Sequence, residues 1–191
     1  RVVAAWDGEL TVAATILDRL REAFCKALEG ALQPLVDSTL LLGRVRVDYR
    51  RGWPLEPSER HLGEWLQASR QQDRQQGHTR LGPHRADFRI QIAGRSPAEA
   101  LSRGQQKLLI IALLLAQAEL YRRHAGDACI LLIDDLPAEL DPGNRLRVMG
   151  ALAALDSQLF VTAIEPSLLD AAAWSEARTF HLAHGTLGEM V

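Results

Sequence analysis

Leu101-Ser102-Arg103-Gly104-Gln105-Gln106-Lys107, followed after a helical stretch by Cys129-Ile130-Leu131-Leu132-Ile133-Asp134-Asp135, is the segment whose reading decides the fold. Between the two halves, Leu108, Ile111, Leu115, Ala118 and Tyr121 recur at helical spacing over residues 105–123. The first turn of such a helix presents N–H groups with no partner inside it, and that end favours anions. Gly104 lets a phosphate approach the backbone closely, and Ser102 adds a hydroxyl beside the positive end of the helix dipole. An ordinary serine N-cap ahead of a buried helix explains the same residues when they stand alone.

The downstream run tips the balance. Residues 129–133 carry no polar alternation, which predicts a parallel strand covered on both faces. The strand ends abruptly in two carboxylates. The crevice where open α/β sheets bind ligands lies at the carboxyl ends of their parallel strands. An aspartate there can hold Mg²⁺, directly or through water, while the metal bridges nucleotide phosphates. The plainer reading of Asp134 and Asp135 is a polar strand end opening a turn at Pro137.

Bulk properties set wider bounds. With 191 residues, 47% of them hydrophobic, the chain can form one domain or one and a half around a real core. No apolar stretch reaches the roughly 20 residues needed to span a bilayer, and residues 1–7 lack the apolar core of a signal peptide. Those features predict a soluble, cytoplasmic protein. A start at Arg1 rather than Met predicts a fragment or a processed chain. Cys25 and Cys129 give neither a disulfide framework nor metal-ligand spacing, which points to a reducing compartment. The net charge of −2 hides an asymmetry: residues 40–90 hold ten arginines against six acids, and residues 126–191 hold ten acids against three arginines. The arginine-rich part suits either phosphate contact or a solvated face.

Residues 7–29 read as an amphipathic helix with Leu10, Val12, Ile16, Leu17, Leu20, Phe24 and Leu28 on its apolar face, ending at Gly30. A second helical stretch runs from Ala31 towards Leu42 despite Pro34. Val45, Val47 and Tyr49 alternate with polar residues as a half-exposed strand. Ser58 is placed to cap a polar helix reaching Gln76 with Leu62, Trp65 and Leu66 on one face, and residues 71–77 read as exposed and mobile. Composition changes near Leu81. Phe88, Ile90 and Ile92 then alternate as a strand, a helix starts at Pro142, a buried strand covers residues 159–164, and a hairpin turns at His184-Gly185.

These motifs resemble the signature and Walker B strand of ABC-type ATPases, and Ala138-Glu139-Leu140-Asp141 falls where that family carries its D-loop. Gly82-Pro83-His84-Arg85-Ala86-Asp87-Phe88 narrows the resemblance to the RecF family, bacterial recombination mediators related to SMC-type ATPases. Trp6-Asp7 near the start and Leu159-Phe160-Val161-Thr162-Ala163-Ile164 near the end extend the match over nearly the whole chain, to the C-terminal half of that family. The resemblance implies an α/β fold: half of an ABC-type ATPase head with a parallel-strand core over residues 81–191, and a mainly helical arm over residues 1–80. It further implies ATP with Mg²⁺, a homodimer formed in response to ATP, binding to DNA at single-strand/double-strand junctions, and cooperation with RecR and RecO in loading RecA. Asp134 then corresponds to the magnesium residue and Asp135 to the catalytic base. Ser102, Gly104 and Gln105, with Arg103 in the same nucleotide-binding set, face ATP held by the opposite subunit, and Asp141 couples the two sites. His84 and Arg85 are either a structured turn or a contact to nucleotide or DNA.

Three departures qualify the match. The chain has no Gly-x-x-x-x-Gly-Lys-Ser/Thr, so the loop that cradles phosphates is missing and this chain alone is expected to bind ATP poorly. Asp135 is one methylene shorter than the glutamate of most ABC ATPases, which predicts slow hydrolysis. Ala163 stands where such proteins carry a switch histidine. Competing readings are a metal-dependent nuclease built on Asp134 and Asp135, a non-enzymatic dimerisation, DNA-binding or protein-binding module, and the head of another SMC-like ATPase. The last of these calls for long heptad flanks, which the sequence lacks.

Overall fold

The computed structural model describes residues 5–40, 43–54, 61–136, 140–155, 157–169, 174 and 176–190. They form two compact units, Arg1–Asp37 with Leu42–Leu101, and Ser38–Leu41 with Ser102–Val191.

In the first unit a single long helix, α1 (Asp7–Thr39), replaces the two helices expected on either side of Gly30 and runs on through Pro34. A proline inside a helix removes one backbone hydrogen bond and clashes with the carbonyl four residues back, which here belongs to Gly30. Packing carries the helix through the defect. Leu28, Leu32 and Val36 are fully buried at intervals of four on either side of it. The Glu29 and Gln33 side chains also accept hydrogen bonds from the backbone N–H groups of Val47 and Val45, each at 2.8 Å, tying α1 to β1 (Val45–Arg50).

The buried face of α1 is not the one read from the sequence. Leu28 is buried as expected, but Val12, Ile16, Leu20 and Phe24 are exposed, and the inner face carries Ala14, Asp18, Cys25, Leu28 and Leu32. Both faces are apolar, so periodicity alone selects neither. Buried Asp18 accepts the Tyr49 hydroxyl hydrogen bond at 3.0 Å and lies 3.5 Å from the Arg51 guanidinium, so its charge is compensated. Burial, followed by the neighbouring Asp18 carboxylate, pushes the Tyr49 phenol above its ordinary range.

β1 pairs antiparallel with β2 (Asp87–Ile92) in the register Val47↔Ile90 and Tyr49↔Phe88, and Val45, Val47 and Ile92 are buried. Helix α2 (Leu62–Gln76) buries Leu62 and Leu66 in a cluster with Ala14, against which Trp53 packs. Asp7 and Arg70 pair between α1 and α2. The expected Ser58 cap lies outside the described residues. Residues 71–76, read as mobile, are helical and tied down: Asp73 accepts from Ser69 and lies 3.3 Å from Arg80. Burial raises the Asp73 pKa, but hydrogen bonds from Ser69 and Arg80 outweigh it and leave the carboxyl below its usual range. A short helix, α3 (Pro97–Ala100), ends the unit.

The second unit begins with α4 (Arg103–Ala125), which buries Leu108, Leu109, Ala112, Leu115 and Ala116 while Tyr121 stays exposed. The parallel pair β3 (Ile130–Ile133) and β4 (Gln158–Val161), in register Ile133↔Val161, brackets α5 (Pro142–Ala153), whose buried residues are Val148, Met149 and Leu152. Proline opens α5 at its first turn, as expected. The strands are not covered on both faces. Ile130 is 62% exposed, Leu132 78% and Phe160 53%, whereas Leu131, Ile133, Leu159 and Val161 are half-buried, so this chain covers one side of the pair. The expected strand over residues 159–164 also stops at Val161. The antiparallel hairpin β5 (Thr179–Ala183) and β6 (Thr186–Met190) turns at His184 and Gly185, with φ of +49° and +79°. Positive φ at both central residues matches a type I′ turn, whose twist suits a hairpin.

A candidate nucleotide and magnesium site

Asp134 is the first residue beyond β3, and Thr162 the first beyond β4. The parallel ladder closes just past the end of β4, with the Thr162 N–H donating to the carbonyl of Ile133, the last residue of β3, at 2.9 Å. This step sets Thr162 beside the carboxylates. Its hydroxyl donates to Asp134 Oδ1 at 2.6 Å and accepts from the Asp135 backbone N–H at 2.8 Å. Asp135 has φ of +46°, in the left-handed region that residues with a Cβ rarely occupy. The chain therefore leaves β geometry abruptly between the two carboxylates.

A divalent cation of magnesium's kind prefers oxygen ligands and is commonly held by one or two carboxylates together with phosphates and water. Asp134 fits that role: it is exposed at the carboxyl end of a parallel strand, and one of its oxygens is not taken up by the Thr162 bond. Among the described residues no cluster of three or more His, Cys, Asp or Glu side chains is placed to hold a metal, so the ligand set that a two-metal nuclease needs is not assembled there.

Ser102 is the N-cap of α4, where its side chain accepts from the Gln105 N–H at 3.3 Å while the Gln105 side-chain oxygen accepts from the Ser102 N–H at 2.9 Å. This reciprocal capping box is the ordinary helix start weighed for Ser102. Arg103 and Gly104 sit inside it in the first turn, both exposed, and an added Cβ at Gly104 would meet nothing within 4 Å. The residues that resemble a signature motif thus stand at an open helix N-terminus. Asp141 caps α5, accepting from the Asn144 backbone N–H at 3.0 Å. The Asn144 backbone bond, outweighing the opposing effect of burial, holds the Asp141 carboxyl below its usual range. The other expected D-loop residues, 138 and 139, lie outside the described residues, and Leu140 is buried.

In the first unit, Pro83–Arg85 form one turn of 3-10 helix. Gly82 N–H donates to the Gly52 carbonyl at 3.1 Å, Arg21 Nη1 donates to the Pro83 carbonyl at 2.6 Å, and a ring nitrogen of His84 lies 2.9 Å from the Thr79 carbonyl. These bonds favour the structured-turn reading of His84. Arg85 is exposed; its backbone N–H donates to the Gly82 carbonyl at 3.0 Å, while its side chain makes no hydrogen bond or ion pair among the described residues. A recess of about 350 Å³ in this unit is lined by Glu22, Cys25, Tyr49, Arg51 and Trp53, none of them a motif residue. Burial pushes the Cys25 thiol up, away from the reactive thiolate.

The family model described as RecF/RecN/SMC N terminal domain matches residues 19–186. The chain belongs to the RecF/RecN/SMC family. Among RecF relatives, the DNA replication and repair protein RecF of Pseudomonas aeruginosa (strain UCBPP-PA14) is 39% identical over 189 residues, which cover 97% of this chain and 50% of that protein. RecF of Thioalkalivibrio sulfidiphilus (strain HL-EbGR7) is 40% identical over 187 residues, with 98% and 51% covered. The chain spans about half the length of the curated RecF relatives it matches. A solved structure of the recombination mediator protein RecF-ATP in the RecFOR pathway superposes on all of this chain and 50% of that one, with a TM-score of 0.76 at 20% identity. At that identity the likeness speaks for the fold, the α/β architecture of a RecF-like head with its arm. Among the described residues no helix is long and apolar enough to cross a membrane.

The paired carboxylates and the serine-capped helix are legible in the sequence, whereas Thr162 as the partner of the carboxylates is not. The signal was present, since Thr162 follows the second parallel strand as Asp134 follows the first, but the register that joins them is a tertiary fact.

Proposed function

We propose that this chain is the signature-and-Walker-B half of a RecF-like ATPase that binds DNA at single-strand/double-strand junctions and, with RecO and RecR, helps load RecA. The observation that carries this reading is the pair of carboxylates at the end of a parallel strand, in the same unit as a serine-capped helix whose first turn is exposed. In the complete protein Asp134 holds Mg²⁺, and Asp135 orients the attacking water as general base. When bound, the metal neutralises charge that develops on the transferring phosphate. Ser102, Arg103, Gly104 and Gln105 present the helix N-terminus to the phosphate of ATP held by a second subunit, so ATP joins the dimer. Contact by Ser102 and Gln105 then requires their capping box to exchange its internal bonds for bonds to phosphate. Asp141 at the cap of α5 lies on the same dimer surface.

The exposed apolar side of the β3–β4 pair supports the view that this half acts with another. Ile130, Leu132 and Phe160 on it are the kind of surface that a further α/β layer covers. Alone, the chain lacks a phosphate-cradling loop and is a binding module rather than an ATPase. Calorimetry and light scattering, on this chain and on a longer protein that carries a P-loop, test the proposal. ATP binding and ATP-dependent dimerisation only in the longer protein, both lost on Ser102→Arg, are the expected results. Tight ATP binding by the 191-residue chain would place the nucleotide elsewhere and sink the assignment.

A further inference from the structure

We propose that Thr162 is a positioning residue for the two carboxylates, an inference that rests on the reading of Asp134 as the metal-holding group. A threonine hydroxyl has one proton to give and lone pairs to receive. Here the proton goes to Asp134 Oδ1 at 2.6 Å and a lone pair takes the Asp135 N–H at 2.8 Å. The first bond fixes one carboxylate oxygen and leaves the other for a cation. The second holds the peptide at Asp135 in its left-handed conformation, φ +46°, where the chain would otherwise relax toward strand or helix geometry.

Thr162 is itself anchored by its own N–H to the Ile133 carbonyl at 2.9 Å, so the residue just past β4 sets the geometry of the loop leaving β3. All three bonds lie at an exposed strand end, where a hydroxyl is not needed to satisfy buried groups. A threonine present only for its β-branched shape would serve as well as valine. The hydroxyl is therefore the part that acts, through Asp134 and Asp135 rather than on substrate.

The test compares Thr162→Val, which keeps the shape, with Thr162→Ser, which keeps the hydroxyl, in the longer protein that carries both halves. One readout is the affinity for Mn²⁺, measured by electron paramagnetic resonance with a non-hydrolysable ATP analogue present. The other is deuterium exchange at the Asp135 amide, which needs no activity. Removing such a partner of a metal ligand typically weakens metal binding about 10-fold or more. Thr162→Val is expected to do so and to speed exchange at Asp135, while Thr162→Ser stays within about twofold on both measures. Should Thr162→Val fail to fold, Thr162→Ala, which has no side-chain donor or acceptor, replaces it. Wild-type affinity and exchange in the hydroxyl-free variant overturn the proposal. Asp134→Asn separates the two layers: if it leaves Mn²⁺ binding intact, the metal assignment itself is wrong, and exchange at Asp135 still decides whether Thr162 holds that peptide.

Discussion

At Asp135 the backbone offers a reason for aspartate that side-chain length does not. Aspartate and asparagine are several-fold enriched at positive φ, and Asp135 sits at +46°. Glutamate would extend the carboxylate by about an ångström, and misplacement of that size can cost about 100-fold in rate, or roughly 2.7 kcal/mol. Against this gain stands a left-handed cost of about 1 kcal/mol for a longer side chain. In a longer protein that carries a P-loop, Asp135→Glu is therefore expected to raise ATP turnover and lower stability by about that amount. Steady-state hydrolysis and urea unfolding check the two halves, and unchanged turnover would argue against Asp135 as the base.

Gly52 gives a sharper case at the same scale. Its φ is +86°, and an added Cβ would meet the Gly82 carbonyl oxygen at 2.4 Å and the Ala86 nitrogen at 2.7 Å, both backbone atoms that cannot swing aside. Gly52→Ala should cost about 2 kcal/mol or more, read as a lower urea midpoint, because strain and overlap add.

Helix α1 shows what an element hides from its own sequence. Gly30 reads as a boundary because glycine weakens a helix locally, yet Leu28, Leu32 and Val36 bury one continuous stripe across it and past Pro34. Tertiary packing outweighed propensity there. In contrast, the N-terminus of α4, the strand ending in Asp134-Asp135 and the His184-Gly185 turn were legible because each depends on backbone chemistry local to a few residues. Gly30 is exposed, in helical conformation, and an added Cβ meets nothing within 4 Å. Gly30→Ala is thus expected to stabilise the chain by about 0.5–1 kcal/mol in chemical denaturation.

At the start of α5, Asp141→Ala removes the cap, whereas Asp141→Asn keeps it, since either residue serves as N-cap. The Asp141 carboxyl is held below its ordinary range, so its stabilising contribution is complete above the unfolded-state pKa of about 3.9. It is lost only as pH falls through the lower folded value. Helicity followed by circular dichroism should therefore show acid sensitivity of this cap in the parent chain and none in Asp141→Asn.

Over the whole molecule, apolar surface is the part least legible from sequence, because a run such as residues 129–133 states that a strand is apolar and not which chain covers it. The uncovered side of the β3–β4 pair is consistent with the span of the chain, about half of its RecF relatives. Leu132, 78% exposed, makes the distinction measurable. In this chain Leu132→Ser removes little burial and should change folding stability by no more than about 0.5 kcal/mol, while reducing self-association seen by light scattering. In a longer protein whose remaining half covers the strand, the same change removes most of a buried leucine. It should then cost about 2–5 kcal/mol. Equal small effects in both would mean that the second layer does not cover this face. Equal large effects would mean that copies of this chain already cover it in solution.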